Sequence, residues 1–165
     1  MKGYKAVNLD MTSAYGSMQY EIGKEYILEE PLQVCHSGFH FCELLENIEE
    51  YYSIKRSRIF EVEATGKIQN IRGIFCTDKI ILTRELTGKE IQEYFQENQE
   101  CILQKGYYCK KAMAEQGIGL DKLINDKEWI IRKIVVEHNF KLEQLINDPE
   151  YVIRREASKR ICFLQ

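Results

Sequence analysis

The last third of the chain repeats itself at a spacing of 22 residues. Leu120-Asp121-Lys122-Leu123-Ile124-Asn125-Asp126-Lys127-Glu128-Trp129-Ile130-Ile131-Arg132 is followed by Leu142-Glu143-Gln144-Leu145-Ile146-Asn147-Asp148-Pro149-Glu150-Tyr151-Val152-Ile153-Arg154. A fixed period of this length constrains the fold strongly. One unit cannot bury its apolar side alone, so successive units must stack as a solenoid. Each unit opens with a short L-x-x-L-I turn of helix, and Asp126 or Asp148 then stands where an N-cap is needed. Pro149 fits the first helical position, where its missing N–H costs nothing. One period earlier, Tyr107, Cys109, Lys110 and Met113 form a degenerate third copy. Phe163 and Leu164 are expected to close the far end.

The front of the chain reads differently. Residues 58–64 alternate, with Ile59, Glu61 and Glu63 on one side and Phe60, Val62 and Ala64 on the other, as a half-buried strand does. Residues 4–7 and 78–86 are further strands, and Gly23-Lys24 and Ser37-Gly38 are turn signals. The first turn predicts a hairpin over 20–27. Leu44, Leu45, Ile48, Tyr51 and Tyr52 predict a helix over 43–52. Thr87-Gly88-Lys89-Glu90 is a capping box that opens the next helix, with Ile91, Tyr94, Phe95 and Ile102 as its apolar stripe. The expected fold class is therefore α+β. A small mixed, mostly antiparallel sheet with one helix occupies 1–86. A short α-helical solenoid-like array follows over 87–165, as a capped helix and about two and a half repeats of 22 residues.

Composition excludes several classes. With 44% hydrophobic and 30% charged residues, the chain is an ordinary globular protein rather than a disordered one. No apolar run approaches the roughly 18 residues that cross a bilayer. The start, Met1-Lys2-Gly3-Tyr4-Lys5, lacks the apolar core of a signal peptide, so a cytoplasmic location and no membrane partner are expected. Six cysteines at irregular spacing, none in a C-x-x-C pair, read as free thiols. Residues 1–100 carry 11 Lys and Arg against 17 Asp and Glu, a balance of −6, and residues 101–165 carry 12 against 9, a balance of +3. Two distinct surfaces follow from that asymmetry, and the basic excess is small beside that of typical nucleic-acid binders.

Motifs carry resemblances to known families. The repeat unit, over about 98–161, is similar to short two-helix repeats of the leucine-rich-repeat-variant and HEAT-like class. Gly3-Tyr4-Lys5-Ala6-Val7-Asn8, Met18-Gln19-Tyr20-Glu21-Ile22-Gly23-Lys24-Glu25-Tyr26, Cys35-His36-Ser37-Gly38-Phe39-His40-Phe41-Cys42-Glu43 and Thr77-Asp78-Lys79-Ile80 resemble an uncharacterised domain found in phage and prophage proteins. That resemblance implies a mobile-element origin. By analogy with small proteins of that kind, it implies an inhibitor of host defence, including anti-CRISPR action.

Candidate chemistry falls into four groups. Cys35, His36, His40 and Cys42 would offer four zinc ligands if they converged. Cys42 beside His40 is a candidate thiol nucleophile. Gly38-Phe39-His40-Phe41 followed by Tyr51-Tyr52 resembles the ADP-ribosyltransferase fold, which implies Lys5, His40, Tyr52 and Glu85 around a nicotinamide, with NAD as cosubstrate. Basic pairs recur at the period of 22 as Lys110-Lys111, Arg132-Lys133 and Arg154-Arg155. The first residue of each pair is expected in a structural ladder with Asp126, Asp148 or nearby carbonyls. The second residues, Lys111, Lys133 and Arg155, are left with Lys159 and Arg160 for a partner. Trp129 and Tyr151 are expected in the core between units. Glu43, Glu46, Glu49 and Glu50 lie on one predicted helix, as a solvated face or as a mimic of nucleic acid.

The favoured reading is a non-enzymatic factor that needs no cofactor. Its expected partner is a host protein or protein–nucleic-acid complex, bound by steric docking. Direct nucleic-acid binding is less favoured, because Glu115, Glu137 and Glu156 lie near the cations. The alternative is an ADP-ribosyltransferase-like enzyme or a degenerate relative.

Overall fold

The structure, a computed structural model, describes residues 1–14, 18–33, 36–71 and 73–164. The chain divides into two compact units, Met1–Ile91 and Gln92–Gln165.

The first unit is a sheet of seven strands among the described residues: β1 (Lys2–Val7), β2 (Glu25–Ile27), β3 (Phe39–Cys42), β4 (Arg58–Ala64), β5 (Ile68–Ile71), β6 (Ile74–Thr77) and β7 (Lys79–Glu85). Their order is β2-β7-β4-β1-β3-β6-β5, and every described pairing is antiparallel. The alternation of β4 sets the core. Phe60, Val62 and Ala64 join Val7, Tyr20, Phe39, Phe41, Ile80 and Leu82 in one buried cluster. Removing such side chains from water is the main stabilising term here. Gly38 turns the chain into β3 at φ +128°, and a Cβ there would lie 2.4 Å from Cys76 Sγ and 2.5 Å from Leu32 Cδ1, so only glycine fits.

Three local expectations change. Residues 20–27 form no hairpin. Gly23 makes its turn at φ +79°, but its N–H donates to Leu82 O and β2 pairs with β7, so the strand's partner is remote. The predicted helix over 43–52 is a 3-10 stretch, Leu45–Glu50, with no side-chain cap at Leu44. Its Glu46 and Glu49 are buried, and Glu49 Oε2 accepts from the Ile54 N–H at 2.8 Å. Those two carboxylates belong neither to a solvated face nor to an acidic mimic. The hairpin β5–β6 lies in a stretch to which the sequence assigns nothing. It turns at Gly73, φ +88°, whose N–H donates to Asn70 Oδ1 at 3.1 Å.

The capping box forms as expected at the head of α1 (Gly88–Glu97). Glu90 N–H donates to Thr87 Oγ1 at 3.2 Å and Thr87 N–H donates to Glu90 Oε2 at 2.8 Å. The bonds from Thr87, joined by the one from Arg84, lower the Glu90 carboxyl to about 2.

The second unit continues through α2 (Gln99–Leu103), α3 (Tyr107–Glu115), α4 (Leu120–Leu123), α5 (Trp129–Glu137), α6 (Leu142–Leu145) and α7 (Tyr151–Leu164). The backbone copies itself at the period of 22. Ile118 N–H donates to Met113 O and Phe140 N–H to Val135 O, while Asp126 N–H donates to Leu123 O and Asp148 N–H to Leu145 O. Left-handed residues recur in step, Gly117 and Gly119 in one copy, Asn139 and Lys141 in the next. They end one helix and start another, which glycine does without strain and Lys141, at φ +46°, does not. Met113, Ile131, Val135, Ile153 and Ala157 are fully buried. Asp126 and Asp148 do not cap as expected: each lies three residues ahead of the first residue of its helix, and the N-cap of α5 is Glu128. Asp126 Oδ1 accepts from Glu128 N–H at 3.0 Å and Asp148 Oδ1 from Glu150 N–H at 2.8 Å, so each closes an Asx turn. Pro149 lies within that turn, ahead of α7. Phe163 and Leu164 are exposed and close nothing among the described residues.

Candidate interaction surface

The cations that open the basic pairs form the expected ladder. Lys110 Nζ meets Asp126 Oδ2 at 2.9 Å. One period on, Arg132 grips Asp148 with both arms, Nε to Oδ2 at 2.7 Å and Nη2 to Oδ1 at 2.9 Å. Both partners of the second rung are buried. Burial alone would raise the Asp148 carboxyl, but the bonds from Arg132 and the Glu150 N–H outweigh it and hold the group below its ordinary range. Arg132, bonded to that carboxylate, is shifted up. Each rung joins one unit to the next.

The remaining five cations differ in how much charge they leave for a partner. Lys111 pairs with Glu115 at 2.8 Å and Lys133 with Glu137 at 3.7 Å, each one turn along its own helix. Arg160 meets Glu156 at 3.2 Å and reaches back to Asn139 Oδ1 at 3.1 Å. Arg155 and Lys159 are exposed and have no ion pair among the described residues. The uniform basic stripe becomes one free patch on α7, a half-buried pair at Lys111–Glu115 and an exposed pair at Lys133–Glu137, which holds by only about 0.3–0.5 kcal/mol.

Trp129 and Tyr151 are not core. They are 41% and 63% exposed, and Tyr108, Ile130 and Val152 beside the matched positions are exposed too. The array therefore carries an outer row with the same period: Tyr107-Tyr108, Trp129-Ile130, Tyr151-Val152. Sequence contains the signal. In α7 the buried residues are Ile153 and Ala157, at i and i+4. Tyr151 is two positions from Ile153, about 200° around the helix, and so faces away; the same step separates Trp129 from Ile131 in α5. A residue four on from each aromatic shares its side of the helix, and those residues are Lys111, Lys133 and Arg155. The Arg155 guanidinium lies 5.8 Å from the Tyr151 ring centroid. Aromatic and cation form one face.

In the sheet unit, the residues implied for a nicotinamide site are partly brought together. Lys5 is 8% exposed; its Nζ donates to His40 O at 2.8 Å and lies 5.3 Å from the Tyr20 ring centroid. Burial lowers this amine to about 8. Burial, then the Lys5 charge, lowers His40. Burial, then the nearby Tyr52, raises Tyr20. Glu85 is elsewhere engaged, its carboxylate held by Arg58 at 2.8 and 2.6 Å and one Phe60-wide row from Lys5. Of the thiol–His pair, Cys42 is buried, unlike the part-exposed setting of reactive thiols. Of the Cys/His cluster, Cys35 lies outside the described residues and His36 is exposed. Among the described residues no three His, Cys, Asp or Glu side chains gather as metal ligands, and no helix is long and apolar enough to cross a membrane.

No curated protein matches the chain, and no solved structure does. Residues 1–94, more than half of the chain, match the family model described as a domain of unknown function (DUF7666), and the chain belongs to that family.

Proposed function

We propose that the protein is a non-enzymatic protein-binding factor of phage or prophage type that obstructs a host defence system, in the manner of an anti-CRISPR protein, by docking on one of its components in the host cytoplasm. The observation that carries this reading is the exposed row on the helical array, where Trp129 and Tyr151 stand one period apart with Lys133 and Arg155 one turn beyond them. Exposed aromatics beside cations are what interface anchors are made of. A repeated unit presents them at a fixed spacing, so a partner meets several anchors at once. Inhibition then follows from coverage of the partner's working surface, with no bond made or broken.

The test uses cells that carry an active defence system and the phage it restricts. Expression of the protein is expected to restore plaque formation. The double variant Trp129→Ala with Tyr151→Ala, or Lys133→Glu with Arg155→Glu, is expected to abolish the effect, while His40→Ala and Tyr52→Phe leave it intact. Loss of protection in the His40 and Tyr52 variants, together with a rise in melting temperature on adding NAD, would move the function to the sheet unit and to transferase chemistry.

A further inference from the structure

The outer row has a pitch that selects its occupant. Lys110, in the first turn of α3, meets Asp126 ahead of α5, and Arg132, in the first turn of α5, meets Asp148 ahead of α7. The three helices therefore stand side by side with their N-termini at one end of the array, and each opens on an aromatic residue: Tyr107, Trp129 and Tyr151. Packed helices lie about 8–10 Å apart, so the row repeats at that distance. Trp129 stands in a unit with a neighbour on either side and is still 41% exposed. Exposure thus belongs to the interior of the row, and further units on the same plan would lengthen it rather than cover it.

Unspent polar groups accompany the aromatics. Trp129 Nε1 and the side-chain amides of Asn125 and Asn147 have no hydrogen-bond partner among the described residues. The two asparagines stand four residues ahead of Trp129 and Tyr151, and with Gln144 they line one groove beside the Arg132–Asp148 rung. Four residues beyond the same aromatics come Lys133 and Arg155, one cation to a unit. Lys133 leans only on the exposed Glu137 at 3.7 Å, and Arg155 has no ion pair among the described residues.

An occupant in step with this row needs apolar surface, free carbonyls and one acid per unit. A polyproline II segment supplies them. It makes three residues to a turn, so equivalent positions recur at about 9 Å, and its carbonyls carry no internal hydrogen bonds. Its rings pack on aromatic side chains. An acid at every third position then faces one cation of each unit. A β-strand repeats at about 6.6 Å and falls out of step, and an α-helix has already spent its carbonyls. A nucleic-acid strand carries a phosphate on every nucleotide, and phosphates that fall between the cations would be repelled by Glu128, Glu137 and Glu150.

We propose that the outer row binds a proline-rich segment of the partner protein in the polyproline II conformation, with an acidic residue at every third position. This rests on the protein-binding reading and names the kind of segment that is bound.

Trp129 is the one tryptophan of the chain, so the emission of the full-length protein reports on the site. The probes are synthetic peptides of five triplets each: Pro-Pro-Glu, Pro-Pro-Lys and Gly-Ser-Glu. Pro-Pro-Glu is expected to shift the emission and to bind at least about tenfold more tightly than either of the others. Asn125→Ala with Asn147→Ala, circular dichroism unchanged, should weaken that binding about tenfold. Lys133→Glu should remove the preference for Pro-Pro-Glu over Pro-Pro-Lys. Equal binding of Gly-Ser-Glu, no change in emission at about 1 mM Pro-Pro-Glu, or a stronger response to a fifteen-nucleotide oligothymidylate would each overturn the proposal. If these arms fail while Trp129→Ala with Tyr151→Ala still abolishes protection in cells, the protein-binding function stands and only this occupant falls. If Pro-Pro-Glu binds as expected while the wild-type protein restores no plaques, the site stands and the defence reading falls.

Discussion

The two units each bury a cation, and they do so in opposite ways. In the sheet, Lys5 faces a backbone carbonyl and a tyrosine ring, and its pKa falls to about 8. In the array, Arg132 faces a carboxylate and is shifted up. A carbonyl satisfies a hydrogen bond but does not balance a charge. The sheet therefore carries its lysine at a cost in stability, whereas the array uses its arginine to fix which unit sits beside which. The difference is one of specificity as well as energy. The Arg132–Asp148 pair fits only in one register, and its repetition 22 residues from Lys110–Asp126 sets the spacing of the outer row.

The largest test of this contrast is Arg132→Ala. It leaves Asp148 buried without its partner, and a loss of about 3–5 kcal/mol in urea unfolding is expected for the array. A change below 1 kcal/mol would mean the rung is ornamental. Asp148 contributes only while ionised. Its pKa is lowered on folding, so its stabilisation is full above the ordinary carboxylate range and disappears as pH falls through its depressed folded value.

Lys5→Met should move stability the other way, up by on the order of 3 kcal/mol at pH 7, the lowering of its pKa expressed as free energy. Folding lowers this amine from 10.5 to about 8, so the unfolded chain holds the proton more tightly between those values. Wild-type stability should rise with pH across that window, and the advantage of the methionine variant should shrink there. Thermal unfolding from pH 7 to 10.5 measures both, and a constant gap between the two proteins would show that the amine's charge is not the cause.

Smaller effects sharpen the comparison further. Lys141→Gly relieves a left-handed backbone that the preceding copy gives to Gly119, and should stabilise by about 1 kcal/mol. Trp129→Ala with Tyr151→Ala should alter stability by no more than about 0.5 kcal/mol per site. A larger loss would return the aromatics to the core and remove the basis for the docking row.

What the sequence disclosed depends on the range of the contacts that decide it. The capping box, the alternation of β4 and the repeat turn are settled by neighbours a few residues away, and each is readable in the chain. The ladder was readable because the period itself brings its remote partners into register. The pairing of β2 with β7 is not local, and a turn at Gly23 looks the same whether the strand that follows turns back or travels on. The β5–β6 hairpin rests on Asn70 and Gly73, a weak turn signal without alternation beside it. Burial of Glu46 and Glu49 depends on an N–H at Ile54 and on the sheet beneath, neither visible in a helical count. Trp129 and Tyr151 differ again: aromatics at matched repeat positions suggest a core, while their angle from Ile131 and Ile153 points them outward.

The order of the strands has one more consequence. Both outermost strands are brief, β2 with three residues and β5 with four. A short border offers little unpaired backbone on which a foreign chain could align, so templated polymerisation finds no purchase there. Among the described residues the same economy leaves little edge for β-augmentation.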